Sequence, residues 1–191
     1  MSGYARVMQE RVGAVYGSEG LDLRESFSVK DPYGSNRGLL APMDLTPYLQ
    51  YYYMHMERLD VILHNILAQA LAEAKGVTLP LGYFNNGDGP AEQLFRCSHY
   101  PDSRQVPPQP HHNRLEAHAD FGTLTMLYTP NEGLQELRDG KWMKCPVSTP
   151  TELRVHLGPM MVSAPIMLFY RCPRVSLTCF LAFLEQWVVR S

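Results

Sequence analysis

The sequence predicts a mostly β fold with some α-helix, an antiparallel sandwich or barrel under helical cover. Three observations point there. Short β-rich runs bounded by turn residues follow one another from Leu94 to Phe183. One of them, Glu152 to Leu157, alternates cleanly between apolar and polar residues. A single long helical stretch, Met43 to Ala74, precedes them all. With 191 residues, one domain is enough, because a chain near 150 residues already buries roughly 68–70% of its unfolded surface. We therefore expect a single domain over 1–191, with a helical and irregular lead-in over 1–93 and a β core over 94–183.

Taken in order, Tyr4, Val7, Met8, Val12 and Val15 recur at three- and four-residue steps, which predicts an amphipathic helix over Gly3–Tyr16 ended by Gly17. A short strand follows at Glu25 to Val29, and Asp31 to Asn36 is turn chemistry throughout. In Met43 to Ala74, Leu45, Leu49, Tyr52, Met56, Leu59, Ile62, Leu63, Ile66, Leu67 and Leu71 step by three or four, with Asp44 or Thr46 as N-cap and Gly76 as stop. Tyr51, Tyr52, Tyr53, His55 and His64 on this helix are read as core and rim of a helix lying on a sheet. Pro and Gly make Leu79 to Gly89 a loop, and Leu94 to Tyr100 is the next strand. The Pro-rich Asp102 to Asn113, with His111 and His112, reads as a loop rather than a metal cluster. Thr123 to Thr129 is β-rich, and Arg138-Asp139-Gly140 between Gly133–Leu137 and Trp142–Cys145 marks a hairpin. Glu152 to Leu157 should place Leu153, Val155 and Leu157 on one face and Glu152, Arg154 and His156 on the other.

The stretch Arg114 to Gln135 is the part whose residue types specify chemistry. His118 and Asp120 stand two apart in a predicted strand, and a strand repeats its direction every two residues, so both side chains leave the same face. Two readings follow. Mixed nitrogen and oxygen donors at a strand end suit a divalent metal; equally, an imidazole and a carboxylate at that spacing form a hydrogen-bonded pair with no metal at all.

Composition narrows the partners. Net charge is −2 with a pI near 6.4, and no Lys/Arg block stands out, which argues against nucleic acid and acidic membrane surfaces and for a small-molecule partner. Cys97, Cys145, Cys172 and Cys179 lack C-x-x-C spacing and fall largely in apolar predicted strands, and no leader-like segment opens the sequence. We expect free core thiols and a cytoplasmic protein. No apolar stretch reaches the ~18 residues of a membrane-spanning helix.

The stretch AHADFGTLTMLYTPNEGLQELRDGKWMKCP resembles the iron(II)- and 2-oxoglutarate-dependent oxygenases of the isopenicillin N synthase-like family, where His-x-Asp-x-Gly-x-Leu-Thr is followed by Gly-Leu-Gln and a Gly-x-Trp turn. GSEGLDLRESFSV is similar to a further family segment, with Arg24 where Lys is usual, and SHYP resembles the family's Asn-Tyr-Tyr-Pro, with Ser98 in place of Asn. The resemblance narrows the fold to a double-stranded β-helix, a jelly roll, with the long helix covering it. It implies Fe(II) on His118 and Asp120, and 2-oxoglutarate held by Arg174 and Ser176, which match the family's Arg-x-Ser, and by Tyr100. It also implies a short form, beginning inside the family's pattern.

The resemblance breaks after Gly158. Pro159 stands where the family has Asp, the segment before Arg174 is short by about a strand-turn unit, and no His follows His156, so the family's second metal His is missing. His156 is the candidate substitute, against the alternative of a histidine hydrogen-bonded on its own strand. Three functions follow: an Fe(II)/2-oxoglutarate oxygenase-like enzyme with a degenerate metal site, acting on a small molecule of the secondary-metabolite kind; a non-redox isomerase, cyclase, dehydratase or decarboxylase using His118 and Asp120 as acid and base; or a non-catalytic binding or scaffold protein. Unpaired sheet edges further suggest a homodimer.

Overall fold

Two hydrophobic faces organise the chain, one on the long helix and one between two small sheets. The structure is a computed structural model and describes residues 3–30, 33, 45–84, 93–102, 104–107, 113–161 and 187–189. It divides into two compact units, Met1–Tyr4 with Ser26–Cys97, and Ala5–Glu25 with Ser98–Ser191.

In the first unit, helix α1 runs over Thr46–Lys75. Gly76 stops it as expected: at φ 63° it takes the left-handed conformation that a Cβ opposes. Its N–H and that of Val77 then satisfy the carbonyls of Glu73 and Ala72. The start differs from expectation. Leu45 occupies the cap position without a side-chain bond and Pro47 sits in the first turn, where its missing N–H costs nothing, while Asp44 lies outside the described residues.

The buried face of α1 carries Leu49, Tyr53, His64, Ala68 and Leu71, while Ile62 and Ile66 of the predicted stripe are exposed. Tyr53 sets this rotation. Its hydroxyl donates to the Val29 carbonyl and accepts the Phe95 N–H at 2.9 Å, tying the helix to two strands. Those strands are β2 (Glu25–Val29), found where the sequence placed it, and β3 (Phe95–His99), and they form a sheet in the order β1-β2-β3 with β1 (Gly3–Ala5). Val29 and Leu49 make the core, with Phe27 and Phe95 packed against them. His64 is the core histidine it was read to be. Its Nδ1 lies 3.0 Å from the Asp60 carbonyl and 3.3 Å from the Asp60 carboxylate, a hydrogen bond that raises its pKa despite burial.

In the second unit the helix expected over Gly3–Tyr16 does not form. Strand β1 takes its start, and only Val12–Tyr16 is helical, as a 3-10 turn ended by Gly17 at φ 80°. Met8 breaks the helix at φ 64°, with its N–H on the Asp22 carbonyl at 3.0 Å. The Gln9 side chain takes the Arg6 N–H and the Asp22 carboxylate takes that of Val12, so side chains have displaced the helical bonds.

Strands β4 (Leu115–His118), β5 (Leu124–Leu127), β6 (Leu134–Arg138), β7 (Lys141–Lys144), β8 (Arg154–Leu157) and β9 (Trp187–Val189) form antiparallel sheets ordered β4-β9-β6-β7 and β5-β8. Leu127 of one sheet packs on Leu134 and Cys145 beside the other, the two-sheet core expected of a jelly roll. Asp139 (φ 48°) and Gly140 (φ 74°) are both left-handed, the two-residue turn that matches strand twist in a hairpin. The β core was expected to end at residue 183, yet β9 lies beyond it and fills the gap between β4 and β6. Cys145 is buried as expected, whereas Cys97 is exposed, and Cys172 and Cys179 lie outside the described residues. No helix among the described residues is long and apolar enough to cross a membrane.

Candidate metal centre

β4 ends on His118, and the next turn delivers Asp120 beside it. Sequence spacing put the two on one face, and the structure leaves His118 Nε2 3.5 Å from Asp120 Oδ1. The other ring nitrogen, Nδ1, lies 2.8 Å from the Glu116 carbonyl. A carbonyl only accepts, so Nδ1 carries a hydrogen, and Nε2 is the ring nitrogen turned towards the carboxylate. A backbone carbonyl that fixes the tautomer of a histidine is the usual support of a metal ligand.

Asp120 is the hub. Thr125 in β5 and His156 in β8 are directly opposed across the two-stranded sheet, and both act on its carboxylate. His156 Nδ1 lies 3.8 Å from Oδ2, an electrostatic distance rather than a hydrogen bond. Burial alone pushes the Asp120 carboxyl up, but the His118 bond, His156, the His118 charge and Thr125 together hold it far below the usual carboxylate range.

The two rows expected of residues 152–157 fall on opposite faces of β8, and it is the row of His156, 7% exposed, that turns towards Asp120, while Val155 is 41% exposed.

Two supports of the pair went unread in the sequence. Tyr16, on the 3-10 turn, has its hydroxyl 3.2 Å from the Ala119 N–H and 3.4 Å from its carbonyl, gripping the residue between His118 and Asp120. Gly158 lies so close to the 120–122 turn that a Cβ there would stand 2.2 Å from the Gly122 carbonyl oxygen. Nothing in local periodicity marks either, since both act across long sequence separations. Asp22, fully buried, is near enough for the charge of His118 to act on it; its carboxyl is nonetheless raised, mainly by burial.

The other predicted site residues are not gathered here. Tyr100 lies against Arg24, with burial raising its hydroxyl pKa, and no described contact joins it to His118 or Asp120. Arg174 and Ser176 lie outside the described residues.

The donor chemistry fits a non-haem iron in two places: an imidazole nitrogen and a carboxylate stand side by side. His156 is the further imidazole at that carboxylate. It addresses the opposite oxygen from His118, so the carboxylate sits between the rings, and among the described residues no three His, Cys, Asp or Glu side chains are arranged to hold an ion as they stand.

Residues 91–181 match the family described as the 2OG-Fe(II) oxygenase superfamily. Thebaine 6-O-demethylase of Papaver somniferum is 35% identical over 109 residues, 53% of this chain and 27% of that protein. The 2-oxoglutarate-dependent dioxygenase frbA of Dothideomycetidae sp. (strain 11243) is 28% identical over 151 residues, 72% of this chain and 43% of that protein. The chain thus spans less than half the length of either curated relative. Among solved structures, a full-length Neurospora crassa protein crystallised in complex with alpha-KG superposes with a TM-score of 0.63 at 17% identity, covering 100% of this chain and 56% of that one, which shows a shared fold. The jelly-roll core and the His118-x-Asp120 pair both fall in or beside residues 91–181, the stretch that matches the 2OG-Fe(II) oxygenase superfamily.

Proposed function

We propose that this protein is an Fe(II)/2-oxoglutarate-dependent oxidoreductase acting on a small organic molecule, of the kind handled in secondary metabolism. One observation carries the reading: the His118 tautomer is fixed by the Glu116 carbonyl so that Nε2 meets an ionised Asp120. Names of similar proteins support the substrate class, since thebaine 6-O-demethylase and the dioxygenase frbA resemble this chain. His118 and Asp120 are the metal ligands in this proposal, and His156, already at the carboxylate, is the third. Tyr100, Arg174 and Ser176 hold the 2-oxoglutarate carboxylate, with the guanidinium offering two parallel donors. The metal, when bound, supplies the oxidising chemistry; the chain's own residues orient the donors, keep Asp120 ionised and shield it from water.

Protein purified without chelator should contain iron, lose turnover of 2-oxoglutarate to succinate in EDTA, and recover it with Fe(II). Turnover that survives chelation and follows a single titration near neutral pH would replace this reading with acid–base chemistry on the His118–Asp120 pair. We further propose that the whole chain works as one domain, as a homodimer and in the cytoplasm; the exposed free thiol of Cys97 suits a reducing compartment. Light scattering that gives a monomer at micromolar concentration, or recovery of the protein from the secreted fraction, would remove the corresponding part.

A further inference from the structure

The two isoleucines that α1 leaves in solvent belong to a longer row. Tyr48, Tyr52, His55, Leu59, Ile62 and Ile66 follow one another along the helix in steps of four, three, four, three and four. The steps average 3.6 residues, one helical turn, so the row runs straight along the axis for about 27 Å. It lies on the side away from the buried Leu49, Tyr53, Ala68 and Leu71. Tyr48 is 74% exposed and Ile62 and Ile66 are 54% exposed, while His55 and Leu59 are half-buried.

Charge avoids this row. Of the three charged residues between its ends, Asp60 turns to His64 on the buried face, Glu57 falls on the far side of the helix, and Arg58 stands at the edge, where its long stem reaches water. A helix face meant for water carries its charges there, and a contiguous apolar patch beyond a few hundred Å² marks an interaction site. With Tyr51 beside it, the row offers on the order of 600 Å² of exposed side chain, so two copies would bury about 1,200 Å², the lower end of a stable interface.

The spacing selects the occupant. A row stepped four, three, four, three, four reads the same from either end. A second copy laid antiparallel about a two-fold axis therefore puts Tyr48 of one on Ile66 of the other, Tyr52 on Ile62 and His55 on Leu59, each pair occurring twice. Every contact sets a ring against a branched aliphatic chain, large against small, as close packing favours. A parallel copy would stack tyrosine on tyrosine and leave isoleucine facing isoleucine, and an unrelated partner has no need of two matching ends.

We infer that this row is an interface between two copies of the chain, α1 of one protomer lying antiparallel on α1 of its partner with the two-fold axis at the level of Glu57. The inference rests on the homodimer proposed above and gives it a surface, on α1 rather than on unpaired strand edges.

Sedimentation equilibrium of the full chain tests it. Expected is a dimer at micromolar concentration, with self-association weakened at least about tenfold in Ile62→Glu while its circular dichroism stays that of the parent. Two exposed ends of the row report the register. Tyr48→Lys and Ile66→Glu should each sediment as monomers, and their equimolar mixture should form a heterodimer, because the antiparallel pairing brings the opposite charges together. A dimer unmoved by Ile62→Glu would leave the homodimer standing and overturn its placement on α1. Recovery in a mixture of Tyr48→Lys with Tyr48→Glu, and none in the first mixture, would mean a parallel pairing and also overturn the proposal. A monomeric parent would overturn both the surface and the homodimer.

Discussion

His118→Ala is expected to abolish Fe(II) binding and all turnover while leaving the fold intact. The imidazole is the donor whose orientation is already settled, since the Glu116 carbonyl holds the Nδ1 hydrogen. Removing it takes away a ligand rather than a support, so the loss should exceed the roughly 10–100-fold that an outer partner costs. Asp120→Ala should do the same by a second route, since it also deletes the group that draws His156 and Thr125 inward. Anaerobic titration with Fe(II) or Co(II), followed by visible absorption, separates metal loss from unfolding read by circular dichroism. His156→Ala should weaken Co(II) without abolishing it; unchanged affinity there would remove His156 as third ligand. Acid dependence follows the same residue. The folded Asp120 carboxyl lies below its unfolded value, so its contribution to stability is present above an ordinary carboxylate pKa of ~3.9 and fades as pH falls towards the lowered value. Asp120→Asn should flatten that acid limb of a melting curve. Full activity in His118→Ala would leave only the binding-protein reading.

The largest stability effect is expected at Gly158. An added Cβ would meet the Gly122 carbonyl oxygen at 2.2 Å and its carbon at 2.8 Å, and both are backbone, so no side chain can swing away. The same backbones are hydrogen-bonded: Gly158 N–H gives to the Thr123 carbonyl at 2.8 Å and Met160 N–H to that of Gly122 at 3.1 Å. Gly158→Ala must therefore part β8 from the turn that carries Asp120. A cost of at least about 3 kcal/mol is expected, at the upper end for overpacking. In a chain of this size that lowers Tm by roughly 6–12 °C. Metal affinity should fall with it, because the displaced turn takes Asp120 out of reach of His118. A melting curve within a degree or two of the parent would show that the approach relaxes freely.

Much of this was legible because some residues act locally. Asp139-Gly140 specifies its turn by backbone conformation alone and Gly76 its helix end, while His118 and Asp120 do stand together although Asp120 lies in the turn after β4 rather than in the predicted strand. What could not be read depends on distant partners. Periodicity found that β8 alternates but not which row faces inward, because that choice is made by Asp120, more than thirty residues earlier in the chain. The predicted N-terminal helix had the right apolar spacing and lost to Asp22 and Gln9, whose side chains captured backbone N–H groups. The stripe on α1 held at Leu49 and Leu71 but missed at Ile62 and Ile66, because a tyrosine hydroxyl ties that helix to its strands at Tyr53.

The place of β9 between β4 and β6 bears on how the protein is made. A ribosome releases β4, with His118 at its tip, long before Trp187 to Val189 emerge, and until then two strand edges stand unpaired. Contacts of such wide sequence separation form slowly, because the loop must close before pairing rewards it. The strand that ends on His118 is thus among the last to be secured during synthesis, and a nascent chain stalled short of residue 187 would offer open edges to its neighbours on the same polysome.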